Sequence, residues 1–96
     1  MPVAVLQELQ GVTADRYDAV NEKMDVANDP PDGLIFHTGG PMDGGWGIFD
    51  VWESADAYER FSQERLGPAV REVMGGEMTG PPPRQEVYEL HGFIRP

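Results

Sequence analysis

The sequence predicts an α+β domain with the element order βαββαβ, in which two helices cover one face of a four-stranded antiparallel sheet. Three observations predict this fold. The chain has 96 residues, which suits one domain with one core. Two stretches repeat apolar residues at helical spacing, and strand-like runs flank them. Segments rich in Gly and Pro separate the runs. We therefore expect residues 1–96 to form a single domain.

A capping residue separates the first strand from the first helix. Residues 3–9 are rich in Val and Leu, which favours a strand. Thr13 is a suitable N-cap for the helix that follows. The apolar side of this helix consists of Tyr17, Val20, Met24 and Ala27. The helix is predicted to end by Asn28, because residues 29–33, Asp-Pro-Pro-Asp-Gly, cannot continue it.

A hairpin is predicted in the middle of the chain. Residues 34–38 form a short second strand, and residues 46–53 form the third. The Gly-rich residues 39–45 join them as a turn or a flexible lip. This segment has no Lys and precedes no helix, so it does not predict a phosphate-binding loop.

The second helix and the last strand complete the order. Ser54 is a predicted N-cap, and the buried side of the helix consists of Ala57, Tyr58, Phe61 and Leu66. Gly67 and Pro68 are expected to interrupt it, with a short extra helix over residues 69–74 that ends at residues 75–76. Residues 80–83, Gly-Pro-Pro-Pro, predict an extended connector to a strand over residues 86–94.

The third strand indicates how the sheet is covered. Its two faces consist of Trp46, Ile48, Asp50 and Trp52, and of Gly47, Phe49 and Val51. The element order is that of a ferredoxin-like fold, whose helices cover only one face. Because both faces of this strand are apolar, a second layer should cover the sheet, most simply a second copy of the chain. We expect a homodimer.

Composition excludes several classes of partner. The chain carries 17 acidic and 7 basic residues, for a net charge of −10, so we expect no nucleic-acid partner and no anionic membrane partner. No basic, apolar leader and no long apolar run occurs, which predicts a cytoplasmic protein. The chain has no Cys, and its two His are far apart in sequence, so no metal site is predicted.

The segment from Asp50 to Phe61, Asp-Val-Trp-Glu-Ser-Ala-Asp-Ala-Tyr-Glu-Arg-Phe, resembles the third strand and second helix of antibiotic biosynthesis monooxygenase-like proteins. These proteins belong to the dimeric α/β barrel superfamily. The resemblance implies that the sheets of two chains pair into a barrel. It also implies that Trp52 lines a cavity, as in cofactor-independent oxygenases of aromatic polyketides. Haem-degrading relatives need an Asn on the first strand and a His on the second helix. This chain has Gln7 and no helical His, so no cofactor is expected.

Asp50 and His37 are the candidate catalytic residues. A carboxylate in an aromatic wall is costly unless it is hydrogen-bonded, paired or protonated. His37 lies on the strand that the hairpin pairs with that of Asp50, and an Asp-oriented His can take a proton from a phenol, enol or carbon acid. The structural alternatives are that Asp50 only orders the core and that His37 is half-exposed at a strand end. The sequence leaves contact between the two open.

The remaining candidates would bind a small apolar or aromatic ligand. Trp46 and Trp52 are expected to stack against it, and Tyr17 and Tyr58 to direct hydroxyls into the pocket between Phe61 and Met24. The first hypothesis is a cofactor-independent monooxygenase, or an isomerase or cyclase, that acts on a planar molecule. The alternative is a non-catalytic ligand-binding or dimeric interaction protein, including an assembly subunit. A cavity below roughly 300 Å³ would favour the alternative.

Overall fold

The described residues form four antiparallel strands in one sheet, with the order β2-β3-β1-β4. The computed structural model describes residues 2–74, 84–92 and 94. The strands are β1 (Val3–Gln10), β2 (Leu34–Met42), β3 (Gly45–Trp52) and β4 (Arg84–Glu89). The helices are α1 (Ala14–Met24), α2 (Ala55–Phe61), a π-helical segment (Ser62–Leu66) and α3 (Gly67–Met74). The predicted βαββαβ order and ferredoxin-like fold are confirmed.

The register of the sheet places Asp50 at its centre. Val5 of β1 lies opposite Asp50 of β3, and His37 of β2 lies opposite Asp50 from the other side. Side chains directly opposite each other in antiparallel strands lie on the same face. Val5, His37 and Asp50 therefore share one face of the sheet, and this is the face that the helices cover.

The hairpin is tighter than predicted. β2 continues through the Gly-rich residues to Met42, and only Asp43 and Gly44 form the turn. Gly44 has φ +79, which favours glycine. Pro41 fits within β2 because this strand lies at the edge of the sheet. The predicted flexible lip is therefore wrong: residues 39–42 are part of the ladder with β3.

α1 begins and ends as predicted. The Thr13 hydroxyl accepts a hydrogen bond from the Arg16 amide at 3.3 Å, which satisfies one free donor of the first turn. The helix ends before Asn28, because Asp25 adopts a left-handed conformation with φ 56. The placement of Ala27 on its apolar side is wrong, because Ala27 lies in the turns that follow. Turns occupy the positions between Asp25 and residue 29, so this segment passes over the sheet as a loop.

The second half of the helical layer runs without the predicted break at Gly67 and Pro68. The Ser54 hydroxyl caps α2 by accepting from the Ala57 amide at 3.1 Å, as predicted. The π-helical segment then connects α2 directly to α3. Pro68 has no N–H to offer the carbonyl four residues earlier, and the wider π turns accommodate this missing bond.

β4 begins earlier and ends earlier than the predicted 86–94. Its ladder with β1 ends at the pair Val3 and Glu89, and the Leu90 amide then donates to the Pro2 carbonyl at 2.9 Å. Ile94, predicted to be in the strand, is 91% exposed. The predicted helix end at residues 75–76 and connector at 80–83 lie outside the described residues.

Both faces of the sheet are apolar, as predicted from β3. The face toward the helices carries a buried cluster of Val3, Val5, Trp52 and Tyr58. The opposite face, which we call the outer face, exposes Leu6, Phe36 and Tyr88. In the part of the chain that the structure describes, no helix is long and apolar enough to cross a membrane.

Candidate functional site

A cavity of about 960 Å³ lies between the sheet and the helices. This volume is within the range of small-molecule sites and well above the roughly 300 Å³ limit below which such sites are rare. Most of the predicted site residues line it: Tyr17, Met24, His37, Asp50, Trp52, Tyr58 and Phe61. The sequence prediction that these residues surround one pocket therefore agrees with the geometry.

Tyr17, His37 and Asp50 form a continuous chain of hydrogen bonds at the cavity wall. The Nδ1 atom of His37 lies 2.5 Å from Oδ1 of Asp50, which resolves the contact that the sequence left open. The Nε2 atom of His37 is in hydrogen-bond contact with the Tyr17 hydroxyl. A carboxylate only accepts hydrogen bonds, so Nδ1 of His37 donates to Asp50. When the imidazole is neutral, Nε2 is then the acceptor of the Tyr17 O–H.

Both oxygens of Asp50 have partners. Oδ2 accepts a hydrogen bond from the indole N–H of Trp52 at 3.3 Å, while Oδ1 faces His37. The Asp50 side chain is 7% exposed and that of His37 is 30% exposed. A buried carboxylate is tolerated when it is paired in this way. This arrangement holds the imidazole of His37 in one orientation.

Tyr17 is held in place by its neighbours. Its ring packs on Trp46 with the centroids 4.9 Å apart. On its other side, β2 has Gly39, where an added Cβ would lie 2.7 Å from Cζ of Tyr17. The ring planes of Tyr17 and His37 are within 11° of parallel. Because Gly39 has no side chain, the phenol can reach His37 across the sheet.

Trp46 is the one predicted ligand contact that the structure places elsewhere. It lies at the start of β3, opposite Leu9, and its ring is covered by Tyr17 and does not line the cavity. The first turn of α1 sits over this end of the sheet, which removes Trp46 from the ligand space. In this structure Trp46 therefore contacts Tyr17 and not the cavity, and its stacking on a ligand stays a prediction.

The deep end of the cavity is aromatic. Trp52 contacts Phe61 and Tyr58, with ring centroids 5.2 Å and 5.7 Å away. Burial raises the pKa of the Tyr58 phenol above its ordinary value, and the negative charge of Asp50 raises it further, although the Ser62 hydroxyl acts in the opposite direction. Tyr58 is therefore a neutral phenol at ordinary pH.

Gln7 is a cavity residue that the sequence reasoning did not single out. Its amide donates to the Tyr58 hydroxyl at 2.9 Å and to Oε1 of Gln85 at 3.2 Å. The signal was present, because the period of two along β1 places Gln7 on the same face as Val3 and Val5. A lone amide among apolar neighbours on a buried face marks a polar contact in the cavity.

Arg65 braces the loop that follows α1. Its Nη2 atom donates to the carbonyl oxygens of Met24 at 2.7 Å and Asp29 at 2.9 Å. The guanidinium also lies 5.9 Å from the ring centroid of Phe61. This side chain ties the cavity-lining loop to the π-helical segment. Within residues 2–74, 84–92 and 94, no three His, Asp or Glu side chains gather as a metal site.

Comparisons with known proteins identify the fold. The sequence matches no protein-family model and no curated protein. A proposed antibiotic biosynthesis monooxygenase from Caulobacter crescentus superposes with a TM-score of 0.71 at 16% identity, covering 95% of this chain and 91% of that one. SnoaB, a cofactor-independent oxygenase from Streptomyces nogalater, gives 0.63 at 13% identity, covering 97% and 95%.

A third similar structure is a dimeric protein of ferredoxin-like fold and unknown function from Bacteroides fragilis. It superposes with a TM-score of 0.65 at 10% identity, covering 93% of this chain and 96% of that one. The chain therefore has the fold of the antibiotic biosynthesis monooxygenase-like proteins, and the resemblance expected from the sequence is confirmed at the level of the fold.

Proposed function

We propose that this chain is a homodimeric enzyme that removes a proton from a planar, largely apolar molecule, as a cofactor-independent monooxygenase or as an isomerase or cyclase. One observation carries the proposal: the hydrogen-bonded chain of Tyr17, His37 and Asp50 ends at the wall of a cavity of about 960 Å³. A fixed base beside an aromatic pocket suits proton transfer from a phenol, enol or carbon acid.

The proposed chemistry needs a base and a dry site. Loss of a proton from the substrate leaves an electron-rich anion that can reduce dioxygen itself. In an oxygenation of this kind, a CH₂ group becomes C=O, one oxygen atom enters the product and the other leaves as water. In an isomerisation, the same proton returns to a different atom and no oxidation occurs. The apolar walls make the anion harder to form, which the base must offset, but they make it more reactive once formed because few water molecules would solvate it.

The fold comparison supports the oxygenase form. SnoaB shares the fold and is a cofactor-independent oxygenase. The Asp50 and His37 pair would supply the base, and Trp52, Phe61 and Met24 would form apolar walls around the substrate. The net charge of −10 disfavours anionic substrates. A neutral polycyclic phenol is therefore the expected substrate class.

A panel of polycyclic phenols and quinols tests this function. Oxygen uptake and the mass of products formed under ¹⁸O₂ separate oxygenation from isomerisation, which incorporates no label. His37→Gln should lower kcat by at least ~100-fold, and His91→Gln is the matched control because His91 is exposed outside the cavity. Equal activity of the two variants would refute the assignment of the base.

The second candidate function is a non-catalytic ligand-binding protein. It is favoured by one observation: both oxygens of Asp50 and both ring nitrogens of His37 already have partners within the chain. Under this alternative the polar chain only fixes the shape of the cavity. Ligand binding measured by calorimetry, with no conversion of the bound compound under oxygen, would support it.

The homodimer is proposed from the outer face. Leu6, Phe36 and Tyr88 are exposed there at 36%, 37% and 47%, and a second sheet would cover them as in an α/β barrel. The similar protein from Bacteroides fragilis is dimeric. Sedimentation should show that Leu6→Glu dissociates the dimer. Val87→Glu, at 43% exposure on the opposite face, should not, and a monomeric native chain would refute the proposal.

A further inference from the structure

His37 has no free nitrogen to offer a ligand. Nδ1 faces Oδ1 of Asp50, and Nε2 is in contact with the hydroxyl of Tyr17. A neutral imidazole has one donor and one acceptor, and both are used within the chain. A base in this state can exchange a proton with a ligand only through one of its two partners. Asp50 is not available for this, because its two oxygens already accept hydrogen bonds from His37 and Trp52.

Tyr17 is the partner that a ligand can reach. Its side chain lines the cavity and is only partly buried. Packing on Trp46 and the absence of a side chain at Gly39 fix the position of its ring. A phenol oxygen that donates to an imidazole still has lone pairs free to accept another proton. Tyr17 is thus placed between the base and the ligand space.

We propose that Tyr17 is the catalytic residue that exchanges the proton with the ligand, and that His37 and Asp50 act behind it. This inference rests on the proposed function and changes which residue touches the substrate. The substrate O–H proton moves to the Tyr17 oxygen while the Tyr17 proton moves to Nε2 of His37. The products are a substrate anion, a neutral Tyr17 and an imidazolium that the carboxylate of Asp50 stabilises. Return of the two protons restores the starting state.

A competing arrangement makes a different prediction. Tyr17 could instead occupy the place of a substrate phenol, so that the ligand displaces it and meets His37 directly. Removal of the Tyr17 hydroxyl would then leave proton transfer unchanged or improve it. The contacts to Trp46 and the close approach to Gly39 argue against displacement, because they hold the ring from two sides.

Gly39 is a positioning residue in this scheme. A methyl group at Gly39 would lie 2.7 Å from the Tyr17 hydroxyl oxygen and from Cζ, which is too close for non-bonded atoms. Gly39→Ala should therefore push the phenol away from Nε2 of His37 while leaving all three polar side chains in the protein. It gives a test of position that is independent of deleting the hydroxyl.

The deciding experiment uses 4-nitrophenol, whose anion absorbs at a longer wavelength than the neutral phenol. Absorbance is recorded with native protein in excess, at a pH where the free probe is mostly neutral. The native protein should raise the ratio of ionised to neutral bound probe by on the order of 10-fold or more. Tyr17→Phe and Gly39→Ala should remove this gain. His91→Gln should keep it, because His91 is exposed outside the cavity.

Each other outcome overturns a defined part of the scheme. If Tyr17→Phe ionises the bound probe as strongly as native protein, the relay through Tyr17 is refuted while the base at His37 stands. If native protein binds the probe without ionising it, both the relay and the proposed base are refuted. If native protein does not bind the probe, the ligand site of the proposed function is refuted, and so is the role of Tyr17.

Discussion

Replacing Asp50 by asparagine keeps the shape of the side chain and removes one of its two acceptors. Two donors face the native carboxylate: Nδ1–H of His37 at 2.5 Å and the indole N–H of Trp52 at 3.3 Å. An asparagine amide offers one oxygen and one NH₂ group. It can therefore satisfy only one of the two donors while the ring of His37 keeps its present tautomer.

Burial decides which donor keeps the oxygen. Trp52 is 1% exposed, so its N–H has no access to water, whereas the His37 side chain is 30% exposed. We expect the Asn oxygen to face Trp52 and its NH₂ group to face Nδ1 of His37. The imidazole then changes to the Nε2–H tautomer and donates to Tyr17, so it no longer accepts a proton at Nε2.

The two effects of Asp50→Asn differ in size. Loss of a charged hydrogen bond with partial compensation costs about 1–3 kcal/mol, and the new bond from the Asn NH₂ group to Nδ1 of His37 places the cost near the lower end. For a chain of this length this corresponds to a fall in Tm of at least ~4 °C. Loss of the base lowers kcat by ~10²–10⁴-fold. Activity should therefore fall far more than stability.

Three measurements check this reasoning at one protein concentration. Thermal unfolding gives the change in Tm, substrate turnover gives kcat, and ¹⁵N NMR of labelled histidine reports the tautomer of His37. Asp43→Asn is the matched control, because Asp43 is exposed in the hairpin turn. The reasoning fails if His37 remains protonated at Nδ1 in Asp50→Asn, or if the two variants have the same Tm and the same kcat.

Three further predictions concern stability. Because folding raises the pKa of Tyr58, the unfolded chain loses this proton at a lower pH than the folded chain does. The free energy of unfolding should therefore fall as pH rises above about 10. Urea unfolding at pH 8 and pH 11 should show a smaller loss of this free energy in Tyr58→Phe than in the native chain. Gly33→Ala should destabilise more than Gly11→Ala by urea unfolding: both residues have positive φ, but only at Gly33 would the new Cβ meet the Cβ of Ala57, at 2.6 Å. Arg65→Met should remove the hydrogen bonds to the carbonyls of Met24 and Asp29 and speed amide hydrogen exchange in the loop that follows α1. Unchanged exchange would show that Arg65 does not stabilise this loop.

The elements that sequence could predict are those fixed by local chemistry. The hydroxyls of Thr13 and Ser54 cap the two helices as expected. The sequence also placed His37 and Asp50 on two paired strands, although the two-residue turn that sets them directly opposite each other was not predicted. The two-sided apolar pattern of β3 likewise predicted an exposed apolar face, and Phe36 lies on it.

The contacts that sequence did not predict depend on how the helices lie over the sheet. Tyr17 was expected in the pocket, but its contact with His37 depends on the gap at Gly39 and on the packing of Trp46. Neither is visible in the pattern of one element alone. The continuous helical layer through Pro68 was also missed, because a Gly-Pro pair usually marks a break and π turns have no simple sequence signature.

The π-helical segment has a consequence for how this cavity can change. Tyr58, Ser62, Leu66 and Val70 follow one another every four residues, and all line the cavity. In a regular α-helix each four-residue step turns by about 40°, so Val70 would point about 120° away from Tyr58. The wider turns at residues 62–66 offset this drift. Deleting one residue there would rotate α3 and bring different side chains into the cavity. The length of this segment can therefore change the shape of the cavity without any change in the sheet.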